Sequence, residues 1–168
     1  MKRLVVFLAL VAGTYMTTSA QGAVEQRLAR LFPTATAFSP KEGEPPHFTA
    51  YGPNKTVLGY AFNTTEILPL ERGYGGPIVM LIGLDTTGHL AGLIVVEHHE
   101  PYGDFSIDRP QFAAQFKGKD VRDAFKLGED VDAVARASIT MSSAVRAIRN
   151  SSRRMARALL TPQASPSK

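Results

Sequence analysis

The stretch Asp132-Ala133-Val134-Ala135-Arg136-Ala137-Ser138-Ile139-Thr140-Met141-Ser142-Ser143 gathers hydroxyl side chains ahead of a long basic run. Apolar spacing predicts a final helix over Ser142 to Leu160, which puts Ser138 and Thr140 just before its N-terminus. The unpaired N–H groups and partial positive charge of a helix N-terminus favour a phosphate, and Arg136 adds a guanidinium within reach. Serine and threonine are equally ordinary helix caps, so the stretch alone reads either as a cap or as a phosphate seat.

Two further stretches carry residue types suited to chemistry. Gly73-Tyr74-Gly75-Gly76-Pro77 leads into a β run, and glycines there let the backbone approach a flat ligand with no Cβ in the way. A plain strand-entry turn needs glycine as well. Glu97-His98-His99-Glu100-Pro101 ends the following β run. Neighbouring residues on a strand point to opposite faces and there is no second histidine pair, so no metal site is expected. Asp104 and Asp108 have no pattern of a catalytic pair, and Ser138 lacks the glycine-flanked nucleophile elbow of a hydrolase. The chain has no cysteine, which excludes disulfides, thiol catalysis, iron–sulfur clusters and cysteine-ligated zinc.

These residues need a scaffold, and its N-terminal boundary is legible. Lys2 and Arg3, the apolar run Leu4 to Gly13 and the small residues ending Thr18-Ser19-Ala20 have the layout of a secretory signal peptide over residues 1–20, cleaved after Ala20. An uncleaved anchor is the alternative, although the run is short for a bilayer. Either way the protein is expected outside the cytoplasm, in the periplasm. Lys2 and Arg3 are two of 19 basic residues; without them 17 stand against 15 acidic ones, a balance of +2 rather than +4. About 148 residues then remain, enough for one domain with its own core over residues 21–160. The Pro- and Ser-rich residues 161–168 read as a disordered tail.

Within the domain, Val24 to Phe32 has helical spacing and stops at Pro33, and Pro33 to Pro53 reads as a wrapped loop. Val57 to Phe62 reads as a strand. Pro77 to Leu84 and Leu90 to Glu97, joined by Asp85-Thr86-Thr87-Gly88, form an antiparallel hairpin. Val79, Leu81 and Gly83 share one face; Ile78, Met80, Ile82 and Leu84 share the other. Both faces are apolar, so the hairpin is central and covered on each side. Arg109 to Phe116 is a short helix. The fold class is therefore α+β: a small antiparallel sheet with a central hairpin packed by helices, in a single domain.

The last helix has no acidic residue after Asp132, while Arg146, Arg149, Arg153, Arg154 and Arg157 fall largely off its apolar stripe. This reads as a solvated face on a docked helix, or as a contact for an acidic partner or lipid headgroups. Export argues against nucleic acid. Membrane contact is expected only through a partner or an uncleaved signal.

Taken in order, Leu28-Ala29-Arg30-Leu31-Phe32-Pro33, Leu58-Gly59-Tyr60-Ala61-Phe62-Asn63-Thr64-Thr65, Gly73-Tyr74-Gly75-Gly76-Pro77-Ile78, Leu81-Ile82-Gly83-Leu84-Asp85, Glu97-His98-His99-Glu100-Pro101 and Gln115-Phe116-Lys117-Gly118, with the segment from Asp132, resemble the FMN-binding domain family. Its members include peripheral subunits of the sodium-pumping Nqr and Rnf-type redox complexes and the periplasmic domain of NosR/NirI-type regulators, which this chain resembles most. The resemblance implies FMN joined through its phosphate to a threonine hydroxyl by a flavin transferase that uses FAD as donor. The family motif runs Asp, two residues, Ser or Thr, Gly, Ala, Thr, any residue, Ser or Thr. Anchored on Asp132, it places Ala135 where Ser is usual, Arg136 where Gly is usual, Ala137 on Ala, Ser138 on the acceptor and Thr140 on the following hydroxyl. A second register puts Thr140 on the acceptor.

The resemblance thus implies an electron-carrier flavoprotein rather than an enzyme with its own substrate, relaying electrons between a membrane redox partner and a periplasmic acceptor. The flavin ring is expected on Gly73, Tyr74, Gly75, Gly76 and Pro77, with His98 to Pro101, Glu100 among them, closing the site and Ser138, Thr140, Arg136 and Ala137 at the phosphate. A non-covalent FMN carrier, and a cofactor-free binding or assembly module that lost flavinylation, are the alternatives. Ala135 and Ser138 are the departures that favour the last.

Overall fold

The computed structural model describes residues 21–160, so the expected signal peptide over 1–20 and the tail over 161–168 lie outside the described residues. The described residues open with helix α1 over 21–31. It then builds strands β1 (Ala37–Phe38), β2 (Phe48–Tyr51), β3 (Val57–Asn63), β4 (Val79–Asp85) and β5 (Leu90–Glu97). Helices α2 (Pro110–Ala114) and α3 (Ser138–Leu159) complete it. The strands form one antiparallel sheet whose spatial order is the order of the sequence. This is the α+β architecture expected from the sequence.

Side-chain alternation on β4 decides what each face of the sheet packs against. Met80, Ile82 and Leu84 turn to a core built with Phe62, Leu90, Leu93, the aromatic trio Phe112, Phe116 and Phe125, and the buried stripe of α3. Leu81 turns the other way, to a second cluster of Ala50, Ala61 and the α1 residues Leu28, Leu31 and Phe32. The β4–β5 hairpin is last in strand order yet is the layer between both clusters, because both its faces are apolar. Its turn is held by Asp85, whose Oδ1 accepts from the N–H groups of Thr87 and His89 at 2.8 and 2.9 Å.

Two expectations need correction. The passage from Pro33 to Pro53 contains β1 and β2 rather than a loop alone; pairing to β3 (Thr49 opposite Tyr60) turns the short apolar pieces around Phe38 and Phe48 into strands. The final helix begins at Ser138, not Ser142. Its N-cap is Ala137, which offers no capping side chain, so the local signal that marks most helix starts is missing. Part of its basic face is structural: Arg146 Nε donates to Glu71 at 3.0 Å, and Arg153 donates to the carbonyls of Val121 and Asp123 at 2.9 and 2.7 Å. Arg154 and Arg157 are exposed.

Candidate functional site

Three separate stretches meet at the N-terminus of α3. A groove of about 500 Å³ is lined there by Tyr74, Pro101, Tyr102, Arg136, Ala137, Ser138, Ile139 and Thr140. That volume suits a cofactor-sized ligand. The groove collects apolar surface that a folded chain normally hides: Tyr74 is 73 % exposed, Ile139 60 % and Tyr102 47 %. Phe105 extends the patch, its ring 5.4 Å from that of Tyr102. Contiguous exposed aromatic surface beside polar groups marks a binding region.

The helix start supplies the polar side. Met141 N donates to Ala137 O at 2.8 Å and is the first amide in the intrahelical ladder, so the N–H groups of Ser138, Ile139 and Thr140 precede it. The chain enters the helix through Arg136 with φ of +68°, the left-handed region that glycine adopts most cheaply. This gives a physical reason for glycine at that motif position and for calling Arg136 a tolerated departure. Upstream, Asp132 N donates to Gln115 Oε1 at 2.7 Å, tying the segment to the end of α2.

The two candidate hydroxyls are in different environments. Ser138 is exposed on the groove. Thr140 is 2 % exposed, and its Oγ1 donates to Glu100 Oε2 at 2.5 Å. Glu100, itself 6 % exposed, also accepts from Tyr74 N at 3.2 Å and Gly75 N at 2.8 Å. Its carboxylate thus lies behind the groove wall, joining the glycine turn, the end of β5 and the first turn of α3.

The glycines are required by this closeness. A Cβ at Gly73 would stand 2.2 Å from Glu100 Oε1, and one at Gly75 would stand 1.9 Å from the carbonyl oxygen of His99. The turn closes on itself through Gly73 N to Gly76 O at 2.7 Å. Glu71, just before it, accepts from Arg146 and from Asn150 Nδ2 at 2.7 Å, which pins the approach to α3.

Of the residues expected at the site, Tyr74, Arg136, Ala137, Ser138 and Thr140 line the groove, while Gly73, Gly75 and Glu100 form the structure behind it. Gly76, Pro77 and His98 are not among its lining residues. His98 instead accepts from Glu100 N at Nδ1 (3.0 Å), which leaves Nε2–H to donate to Asp108 at 3.0 Å. Its imidazole shapes the turn after β5. Pro101, expected with His98 to Glu100 to close the site, does line the groove; Tyr102 and Ile139 line it as well and were not expected there. Tyr102 follows the Glu-His-His-Glu-Pro stretch directly; its exposure is a property of the fold and left no mark on the sequence.

With that geometry in view, comparison with known proteins is informative. The family model described as FMN-binding domain matches residues 73–152, which includes the glycine turn, the end of β5 and most of α3. Over 141 residues the chain is 31% identical to the regulatory protein NosR of Stutzerimonas stutzeri, a match covering 78% of this chain and 19% of that protein. Over 47 residues it is 45% identical to one of the subunits of an ion-translocating oxidoreductase complex of Haemophilus influenzae, covering 28% of this chain and 21% of that one. The chain spans about a fifth of the length of these relatives. Among solved structures, NqrC of Shewanella oneidensis is similar with a TM-score of 0.49 and 19% sequence identity, over 70% of this chain and 65% of that one.

Proposed function

Because residues 73–152 belong to the FMN-binding domain family, we propose that this chain is an exported electron-carrier flavoprotein with FMN attached through its phosphate to Ser138. The observation that carries this reading is the contrast at the helix start: the Ser138 hydroxyl faces the groove, whereas that of Thr140 is buried and engaged by Glu100. In the attachment step, the Ser138 oxygen displaces AMP from FAD on a flavin transferase. One P–O bond forms, the pyrophosphate P–O bond breaks, AMP leaves and the hydroxyl proton passes to solvent.

The residues present fit the group. The amides of Ser138, Ile139 and Thr140 and the Arg136 guanidinium suit a phosphate. Tyr74, Tyr102 and Ile139 offer aromatic and apolar surface to a flat ring. Bound FMN supplies reversible electron transfer, while the chain's own groups orient it, shield one side and set the surrounding charge. With no cysteine for a metal cluster of its own, the chain depends on partners. The reading adds a membrane redox partner as donor, a periplasmic acceptor, and export directed by residues 1–20.

The second reading, a cofactor-free binding module with the same fold, is favoured by Ala135 and Ser138 standing where the motif has Ser and Thr. One experiment separates the two. The protein is co-expressed with a flavin transferase, denatured, and assayed for in-gel flavin fluorescence and the mass of attached FMN. Signal that survives denaturation and vanishes in Ser138→Ala is the expected result. Signal kept in Ser138→Ala and lost in Thr140→Ala moves the attachment. No flavin in native or denatured protein leaves the binding module.

A further inference from the structure

We infer that Glu100 is a positioning residue of this site, a carboxylate that holds the two walls of the groove in a common frame. Three donors from two distant stretches converge on it: Tyr74 N, Gly75 N and Thr140 Oγ1. The carboxylate lies so close to the turn that a Cβ at Gly73 would meet it, and the two turn amides hold it there. Its own backbone is set by the His98 imidazole, which is in turn held by Asp108.

The α3 end of this clasp answers a deficit in the helix. The helix has neither a capping side chain at Ala137 nor an acidic residue in its first turn. Glu100 brings a negative charge to that turn from another part of the chain, where the helix dipole favours it. Glutamine, although isosteric, cannot replace it: with three donors pointing at the two oxygens, an amide NH2 must face at least one of them.

Two properties follow. Losing the carboxylate loosens both walls together, and, on the flavin reading, it alters the charge felt by the bound ring. The second property rests on that reading; the first does not. The test uses the full chain and the variants Glu100→Gln and Thr140→Val. Backbone hydrogen exchange is expected to accelerate about tenfold at the hydrogen-bonded amides of residues 73–75 and 141–144 in Glu100→Gln, with β4 and β5 unchanged. In Thr140→Val only 141–144 is expected to accelerate, because the two backbone donors keep the glycine turn in place.

In flavin-loaded protein, Glu100→Gln is expected to move the flavin midpoint to a more positive value, since removing a nearby negative charge eases reduction. The proposal is overturned if Glu100→Gln loosens only one of the two segments, or if the midpoint and visible spectrum of its flavin match those of the parent. Should Glu100→Gln fail to fold, unchanged exchange at 141–144 in Thr140→Val overturns it instead. A parent protein that takes up no flavin defeats the flavin reading while the exchange measurements still decide this one.

Discussion

Ser138 and Thr140 stand two residues apart in the first turn of α3, yet one hydroxyl is at the surface of the groove and the other is buried against Glu100. The difference separates a residue available for modification from one committed to holding the site together. Thr140→Val removes a buried hydrogen bond to a carboxylate and is expected to cost about 2 kcal/mol. Urea denaturation measures that cost. The same variant, co-expressed with a flavin transferase, is expected to keep covalent flavin by intact mass, because the Ser138 oxygen is untouched.

Arg136 is held at φ +68°, where a side chain costs about 1 kcal/mol relative to glycine. Glycine in turn loses more backbone entropy on folding, by roughly 0.5 to 1 kcal/mol. Arg136→Gly is therefore expected to be neutral to mildly stabilising. Arg136→Val, with a β-branched side chain in the same region, is expected to destabilise by about 1 kcal/mol or more. Midpoints of urea unfolding for the three proteins give the order Gly, Arg, Val.

Asp130 staples another left-handed residue, Phe125, whose φ is +52° and whose ring lies in the core 6.1 Å from that of Phe116. Burial works to raise the Asp130 pKa, but the N–H groups of Lys126 and Phe125, together with Lys119, outweigh it and hold the carboxyl below its usual range. A carboxylate whose pKa is lowered by folding stabilises the native state above its unfolded pKa and loses that contribution as pH falls. Asp130→Asn is expected to cost about 1 kcal/mol at neutral pH. The gap from the parent should close below about pH 4. Paired denaturation curves at pH 7, 5 and 3 check it.

Phe116 is fully buried and packs edge-on to Phe112 at 5.1 Å as well as against Phe125. Phe116→Ala is expected to lose about 3 to 5 kcal/mol, enough to threaten the fold. Phe116→Leu keeps most of the volume and should retain a cooperative transition. Thermal unfolding by circular dichroism distinguishes the two.

The parts of this molecule that were legible in sequence are those where one local pattern dominates. The alternation of Met80, Leu81 and Ile82 correctly assigned both faces of β4, because a period of two leaves no alternative once both sides are covered. The Phe112 and Phe116 spacing located the short helix α2 to within two residues at each end. The start of α3 was misplaced because Ala137 offers no capping side chain, and the contact that anchors the first turn is tertiary, from Thr140 Oγ1 to a carboxylate 40 residues away. The same holds for β1 and β2, whose short segments become strands only through pairing. Tyr102 and Ile139 were invisible as groove residues, since nothing in their types distinguishes exposed from buried.

The sheet whose spatial order follows its sequence order has a consequence for how the molecule comes into being. Each strand can pair with the strand just made, through short closures that carry little entropic penalty. The groove has no such advantage: Glu100 must meet Thr140 across 40 residues after catching Tyr74 across 26. The binding surface thus closes through longer loops than neighbouring strands do, and carries the larger entropic penalty. The sheet pairs through none of the Glu100 contacts, so the scaffold and the groove it presents close through separate sets of bonds.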